Sequence, residues 1–178
     1  HFYLPDSSSC PTGLQVTPIT HLMQENPDQL KAQWDKSMQL GHGLNALNTL
    51  FSQEGLHITV QDNLNIEPVI EVWYVSKTPQ DMQHSSMYCA RHHVEVGQNS
   101  RINLVEYAIS LQDEAVVNTL TCSNVLTTMN LQSGATVNWA QSFGLADSYG
   151  HISQLAVQQQ QESTLHTQAS ILGGGLIR

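Results

Sequence analysis

The sequence predicts an all-β fold, a parallel β-helix of stacked strands preceded by short N-terminal helices. Three observations predict it. First, one short phrase recurs in the second half, at residues 94–104, 129–139 and 157–167. Each copy reads as a short strand, a polar turn, a small residue and a second alternating strand. Ser100, Ala135 and Ser163 align, as do Ile102, Val137 and Leu165, at offsets of 35 and 28 residues. Self-similarity in this range means stacked units that share a core, and units built of β segments around a turn stack strand on strand. Second, apolar and polar residues alternate with period two almost continuously after Gly55, as half-buried strands require. Third, only 12% of the 178 residues are charged while 40% are hydrophobic. Gln, Asn, Ser and Thr supply the rest of the polarity, and uncharged side chains of this kind form ladders between stacked strands.

The elements follow in order. Residues 1–17 read as irregular, with Pro5, Pro11, Gly13 and Ser7-Ser8-Ser9. Pro18 suits the start of a helix, with Thr17 or Thr20 as its N-cap. A second helix is expected from Asn26-Pro27 through Leu30, Trp34 and Met38, ended by Gly41 and Gly43. Residues 44–53 form a third helical candidate with Leu44, Leu47, Leu50 and Phe51 on one side. Residues 57–61 and 68–75 then alternate as strands, and 101–110, 116–131, 135–143 and 151–172 continue the pattern. The domain reading is therefore residues 1–53 as an irregular and helical lead-in, and 54–178 as the stacked-strand core. The abrupt start at His1-Phe2-Tyr3 and the end at Leu172-Gly173-Gly174-Gly175-Leu176-Ile177-Arg178 predict a piece of a longer chain.

Composition excludes some functions. The net charge is −9, and the six Lys and Arg (Lys31, Lys36, Lys77, Arg91, Arg101, Arg178) are scattered. Phosphate neutralisation needs clustered cations, so a nucleic-acid partner is not expected. No apolar run reaches the length of a membrane span. Cys10, Cys89 and Cys122 form no disulfide spacing, which fits a reducing, cytoplasmic setting.

The chemistry-bearing residues read as structural one by one. Cys89-Ala90-Arg91-His92-His93 resembles half a metal site, but neighbouring residues on a strand face opposite sides of the sheet. No metal is therefore expected, with Cys89, His92 and His93 as the ligands should one be found. Asp113-Glu114 and Glu67 with Glu71 are carboxylates of the type that cleaves polysaccharides, yet they read as turn and surface residues. Ser142, Ser148 and His151 lack a nucleophile-elbow sequence. Gly173-Gly174-Gly175 lacks the Lys-Ser/Thr of a phosphate loop and reads as a tight corner. Gln158–Gln161 reads as an exposed strand end and turn. Trp34, Trp73 and Trp139 are too dispersed for a sugar platform. No catalytic residue is expected, and the chain reads as a non-enzyme. A carbohydrate-active or carbohydrate-binding β-helix is the alternative.

Several segments resemble one family. Ala46-Leu47-Asn48-Thr49-Leu50-Phe51, then Gly55-Leu56-His57-Ile58-Thr59-Val60, then Pro68-Val69-Ile70 are similar to the stretch that leads into the core of the SufB/SufD proteins, scaffold subunits of iron–sulfur cluster assembly. Gly97-Gln98-Asn99-Ser100 followed by Val105-Glu106-Tyr107-Ala108-Ile109-Ser110-Leu111 resembles that family's Gly-Glu-Asn-Ser and Glu-His-Tyr-Val-Ser-Leu signature. The tail Thr164–Arg178 is similar to its continuing strands. The likeness runs from about residue 10 to the end and favours the SufD side of the family. It implies a right-handed parallel β-helix and a non-catalytic role beside a SufB-like paralogue and a SufC-like ATPase. It also implies an iron–sulfur cluster built transiently on the full complex, with no cofactor held by this piece. The family's ATPase-docking helices and late cluster-forming residues lie beyond Arg178, and its N-terminal helical region lies before His1. No functional residue is carried across, and the exposed end is expected to self-associate.

Overall fold

The computed structural model describes residues 10–28, 30–31, 34, 43–52, 54–77, 86–111 and 121–177. Ten strands and two helices occur among them: β1 (Leu14–Pro18), α1 (Ile19–Glu25), α2 (Gly43–Phe51), β2 (Leu56–Val60), β3 (Ile70–Lys77), β4 (Ser86–Val96), β5 (Arg101–Leu111), β6 (Thr121–Leu131), β7 (Thr136–Gly144), β8 (Tyr149–Gln159), β9 (Thr164–Gly173) and β10 (Leu176–Ile177). The chain alternates between two sheets. One has six strands in the order β1-β2-β4-β6-β8-β10, and the other has four in the order β3-β5-β7-β9. Every pairing is parallel except β1 with β2.

The right-handed parallel β-helix expected for residues 54–178 is corrected by this topology. Each repeat contributes two strands, one to each sheet, and among the described residues no closed solenoid is found. The repeat itself is real. Ile102 pairs with Val137 and Val137 with Leu165, in the register that the aligned phrases imply. Residues 1–17 are not wholly irregular either. Leu14–Pro18 add an antiparallel edge strand, because Val16 and Pro18 fall opposite Ile58 and Leu56. Helix α1 has Pro18 at its N-cap position with no side-chain cap, in place of Thr17 or Thr20. The second helix expected from Asn26 to Met38 falls partly outside the described residues.

The units are locked together at their turns. Gly97–Ser100, Gln132–Ala135 and Gln160–Ser163 each close with a backbone hydrogen bond from the fourth residue to the first, at 3.3, 3.0 and 3.1 Å. The third residue of each turn, Asn99, Gly134 or Glu162, has positive φ, as does Asn63 one unit earlier. Gly and Asn take this conformation at least cost. These turns also bond to one another: Asn63 N–H donates to Gln98 O, Asn99 N–H to Ser133 O, and Gly134 N–H to Gln161 O. Ser100 explains its own place in the repeat. Its Oγ accepts from Leu64 N–H at 3.0 Å and donates to Gln61 O at 2.7 Å, so it ties one turn to the previous one.

Two apolar clusters fill the space between the sheets. The larger contains Ile58, Val94, Val96, Ile102, Leu104, Met129, Leu131 and Val137. The smaller contains Ala108, Phe143, Leu145 and Tyr149. Helix α2 packs on the outer face of the six-stranded sheet, and its buried residues are Asn45 and Asn48, while Leu50 and Phe51 are exposed. The leucine side of this helix is therefore not its packed face. Asn48 explains the reversal: its Nδ2 donates to both Ala90 O and Asn124 O, and Asn124 Nδ2 returns a bond to Leu44 O. No described helix is long and apolar enough to cross a membrane.

Candidate functional site

Two groups of polar side chains stand out, one on each face of the six-stranded sheet. On the outer face, the parallel register places His57 of β2 beside His93 of β4. Glu95 lies two residues further along β4 and so points the same way. Inward-facing Ile58, Val94 and Val96 flank them in sequence and hold that orientation, since all three belong to the core. The His57 and His93 ring centroids are 5.2 Å apart. His93 Nε2 is 3.0 Å from Glu95 Oε1, and His57 Nε2 is 3.8 Å from Glu95 Oε2. The second contact is electrostatic, too long for a hydrogen bond. Both imidazoles are 7% exposed and the carboxylate 40%. The two imidazoles, His57 first, hold the Glu95 carboxyl well below the usual carboxylate range. One ligand atom from each residue falls within 4.8 Å of the other two, the only such grouping of three among the described residues.

The tautomer of His93 can be worked out. Thr128 Oγ1 lies 3.0 Å from His92 O and 2.7 Å from His93 Nδ1. The hydroxyl has one proton, and only donation satisfies a carbonyl. Thr128 therefore donates to His92 O and accepts from His93 Nδ1–H. That leaves His93 Nε2 facing a carboxylate oxygen. Asn130 Nδ2 stands 3.5 Å from the same nitrogen, so Nε2 faces both a carboxylate and an amide donor.

The second group lies inside, between the two apolar clusters. His92, one residue from His93, points into the core. Its Nδ1 accepts from Leu56 N–H at 3.2 Å, so its proton sits on Nε2 and is donated to Tyr74 Oη at 2.7 Å. Burial pushes the His92 pKa down to about 4 and raises the Tyr74 hydroxyl well above the phenol range. Glu106 is buried nearby. Thr127 Oγ1 donates to its Oε1 at 3.3 Å and Gln141 Nε2 to its Oε2 at 3.0 Å, while Gln141 also reaches Ser153 Oγ at 2.7 Å. Burial raises the Glu106 pKa to about 7, against these donors. The Trp139 indole N–H acts from the same side, more than Thr127 does, although it is too far or too misaligned to make a hydrogen bond. Further along, His151 Nδ1 is 2.6 Å from Ser123 Oγ with its ring against Phe143, and burial lowers its pKa to about 4.

The residues singled out from sequence separate accordingly. Cys89 and His93 share a face but stand four residues apart, roughly 13 Å along the strand. Burial raises the Cys89 thiol pKa, which disfavours the thiolate that a metal needs. His92 faces the other side, as the alternation argument required. Arg91 is buried on the outer face, with its guanidinium 5.3 Å from the Trp34 ring centre. Glu67 and Glu71 are exposed, and Glu71 accepts from Trp73 Nε1 at 3.0 Å. Asp113 and Glu114 lie outside the described residues. His151 bonds Ser123 rather than Ser142 or Ser148. Gly173–Gly175 form the corner between β9 and β10, where Gly175 N–H donates to Tyr149 O. Gln158 and Gln159 end β8, and Gln160 and Gln161 continue into the turn. Trp73 stacks on Tyr107 at 4.2 Å, a pairing across strands that sequence did not suggest. His57 and Glu95 were also missed. No protein-family model matches the chain, and no curated protein is significantly similar to it.

Proposed function

We propose that this chain is a non-catalytic, SufD-like scaffold piece of an iron–sulfur cluster assembly complex, acting in the cytoplasm beside a SufB-like paralogue and a SufC-like ATPase. The observation that carries the reading is the sequence resemblance, whose segments follow one another through consecutive elements of the fold. Row by row, the inward positions run Ala108, Phe143, Ile171, and the last of these is 62% exposed, with no strand paired beyond β9 among the described residues. Leu172 and Leu176 beside it are exposed as well. An apolar core row with an unpaired strand edge requires cover, from further chain or from another subunit.

The resembling segments run through the fold in chain order. Residues 46–51 lie in α2, 55–60 lead into and form β2, 97–100 make the β4–β5 turn, and 105–111 form the second half of β5. The free thiols of Cys10, Cys89 and Cys122 support a reducing compartment. Under this reading the cluster is cargo, built on the complex rather than held by this piece. The test is affinity purification of the full-length parent from its native cell. Stoichiometric recovery of an ATPase and a paralogous all-β subunit is expected. Recovery of the parent alone, with both proteins present in the lysate, would remove the proposal.

A further inference from the structure

We propose that His57, His93 and Glu95 bind one divalent transition ion of the zinc type, through His57 Nε2, His93 Nε2 and a Glu95 carboxylate oxygen. This site is separate from the assembly role proposed above and stands or falls without it. It also departs from the sequence expectation that this piece holds no metal, which considered only residues 89–93.

Four observations converge. The donor set of two imidazoles and one carboxylate is that of open zinc sites and of the two-His-one-carboxylate centres of other divalent ions. The three atoms lie within 4.8 Å of one another. Tetrahedral ligands at zinc bond lengths stand about 3.4 Å apart, so small rotations of the two rings close the site. His57 Nε2 is buried without a hydrogen-bond partner and faces the Glu95 carboxylate at 3.8 Å. A buried, unsatisfied imidazole nitrogen is costly unless something occupies it. Finally, His93 is oriented as a ligand. Its Nδ1–H is fixed by Thr128, whose own proton is committed to His92 O, so Nε2 is the atom presented to the site. Metal-bound histidines are held in this way by an acceptor behind the ring. The half-exposed Glu95 side leaves a position for water or an outside ligand.

The geometry arises from the stacking. Two neighbouring strands in register supply one histidine each, and the carboxylate two positions along completes one face. Asn130, paired with Glu95 on β6, brings its Nδ2 to 3.5 Å from His93 Nε2 and borders the site.

Zinc binding is measured on the tag-free chain by calorimetry and equilibrium dialysis, and Co(II) serves as a spectroscopic probe. One Zn(II) per chain is expected, with visible Co(II) bands of low-symmetry nitrogen and oxygen coordination. Zinc should also raise the melting temperature, because it binds the folded state alone. Glu95→Gln and His57→Gln, which keep side-chain size, should abolish the Co(II) bands and the zinc-induced thermal shift. Thr128→Val should weaken binding about 10- to 100-fold without abolishing it. His166→Ala, on exposed β9, should change nothing. A folded wild-type chain that takes up no zinc beyond nonspecific levels would overturn the site. So would zinc uptake that survives both Glu95→Gln and His57→Gln.

Discussion

Glu106 is a residue whose ionisation bears directly on the stability of this molecule. Its carboxyl is sealed between two apolar clusters, and among the described residues no cation lies within ion-pair distance. Burial raises its pKa from the ordinary 4.5 to about 7. Between those values the folded protein keeps a proton that the unfolded chain releases, so stability falls as pH rises from about 4.5 through 7. His92 and His151 act in the opposite sense. Burial lowers each from 6.5 to about 4, so the unfolded state binds their protons first and stability rises with pH across that interval. Glu106→Gln removes the carboxyl and leaves both histidines. By denaturant titration, the variant should match the wild type near pH 4 and exceed it by roughly 3 kcal/mol at pH 8, at about 1.4 kcal/mol per pKa unit. Equal stabilities at both values would mean that Glu106 does not carry the buried charge inferred here.

The turn column makes an equivalent statement at the scale of elements. Asn63, Asn99, Gly134 and Glu162 occupy the same left-handed position in successive units. A side chain with a Cβ costs about 1–2 kcal/mol there, and a Gly gives back part of that gain as lost chain entropy. Glu162→Gly should therefore raise the unfolding free energy by up to about 1 kcal/mol. Gly134→Ala should lower it by at least about 1 kcal/mol, since the new methyl also meets the Asn99 side-chain oxygen. Thermal melts of the two variants, opposite in sign, check the pair. Much of this level was legible in the sequence. Ile102, Val137 and Leu165 could be aligned by eye because a core position admits only apolar residues in every unit. The same logic correctly set His92 and His93 on opposite faces. What stayed hidden was register across strands. His57 and His93 are joined by the 36-residue offset that also links Asn63 with Asn99. Aligning residues 55–65 with 91–101 would have brought the two histidines together, but the earlier unit carries no Gly-Gln-Asn-Ser to mark it. The packed face of α2 was also illegible, because it rests on Asn48 and Asn124 bonds rather than on the leucine stripe. A period-two pattern likewise states that strands alternate without stating how many walls they build, so it does not separate two facing sheets from a closed helix.

At the scale of the whole molecule, from β4 onward each strand pairs with the strand of its own sheet made one unit earlier, and among the described residues none pairs beyond β9. Ile171 faces inward yet is 62% exposed, so replacing it removes apolar surface without opening a cavity. The 1–178 chain should self-associate through this end, with a weight-average mass in sedimentation that rises with concentration. Ile171→Glu should hold it monomeric with an unchanged melting temperature. Association that persists in this variant would place the contact elsewhere. The sequential pairing has a further consequence for biosynthesis. A growing chain adds each strand to a neighbour that left the ribosome about 35 residues before, so assembly can keep pace with translation and no strand waits for a distant partner. The newest strand then always bears the raw edge. A nascent chain of this design is most vulnerable to mispairing with its neighbours on the same polysome, and slowing elongation between units should not relieve it.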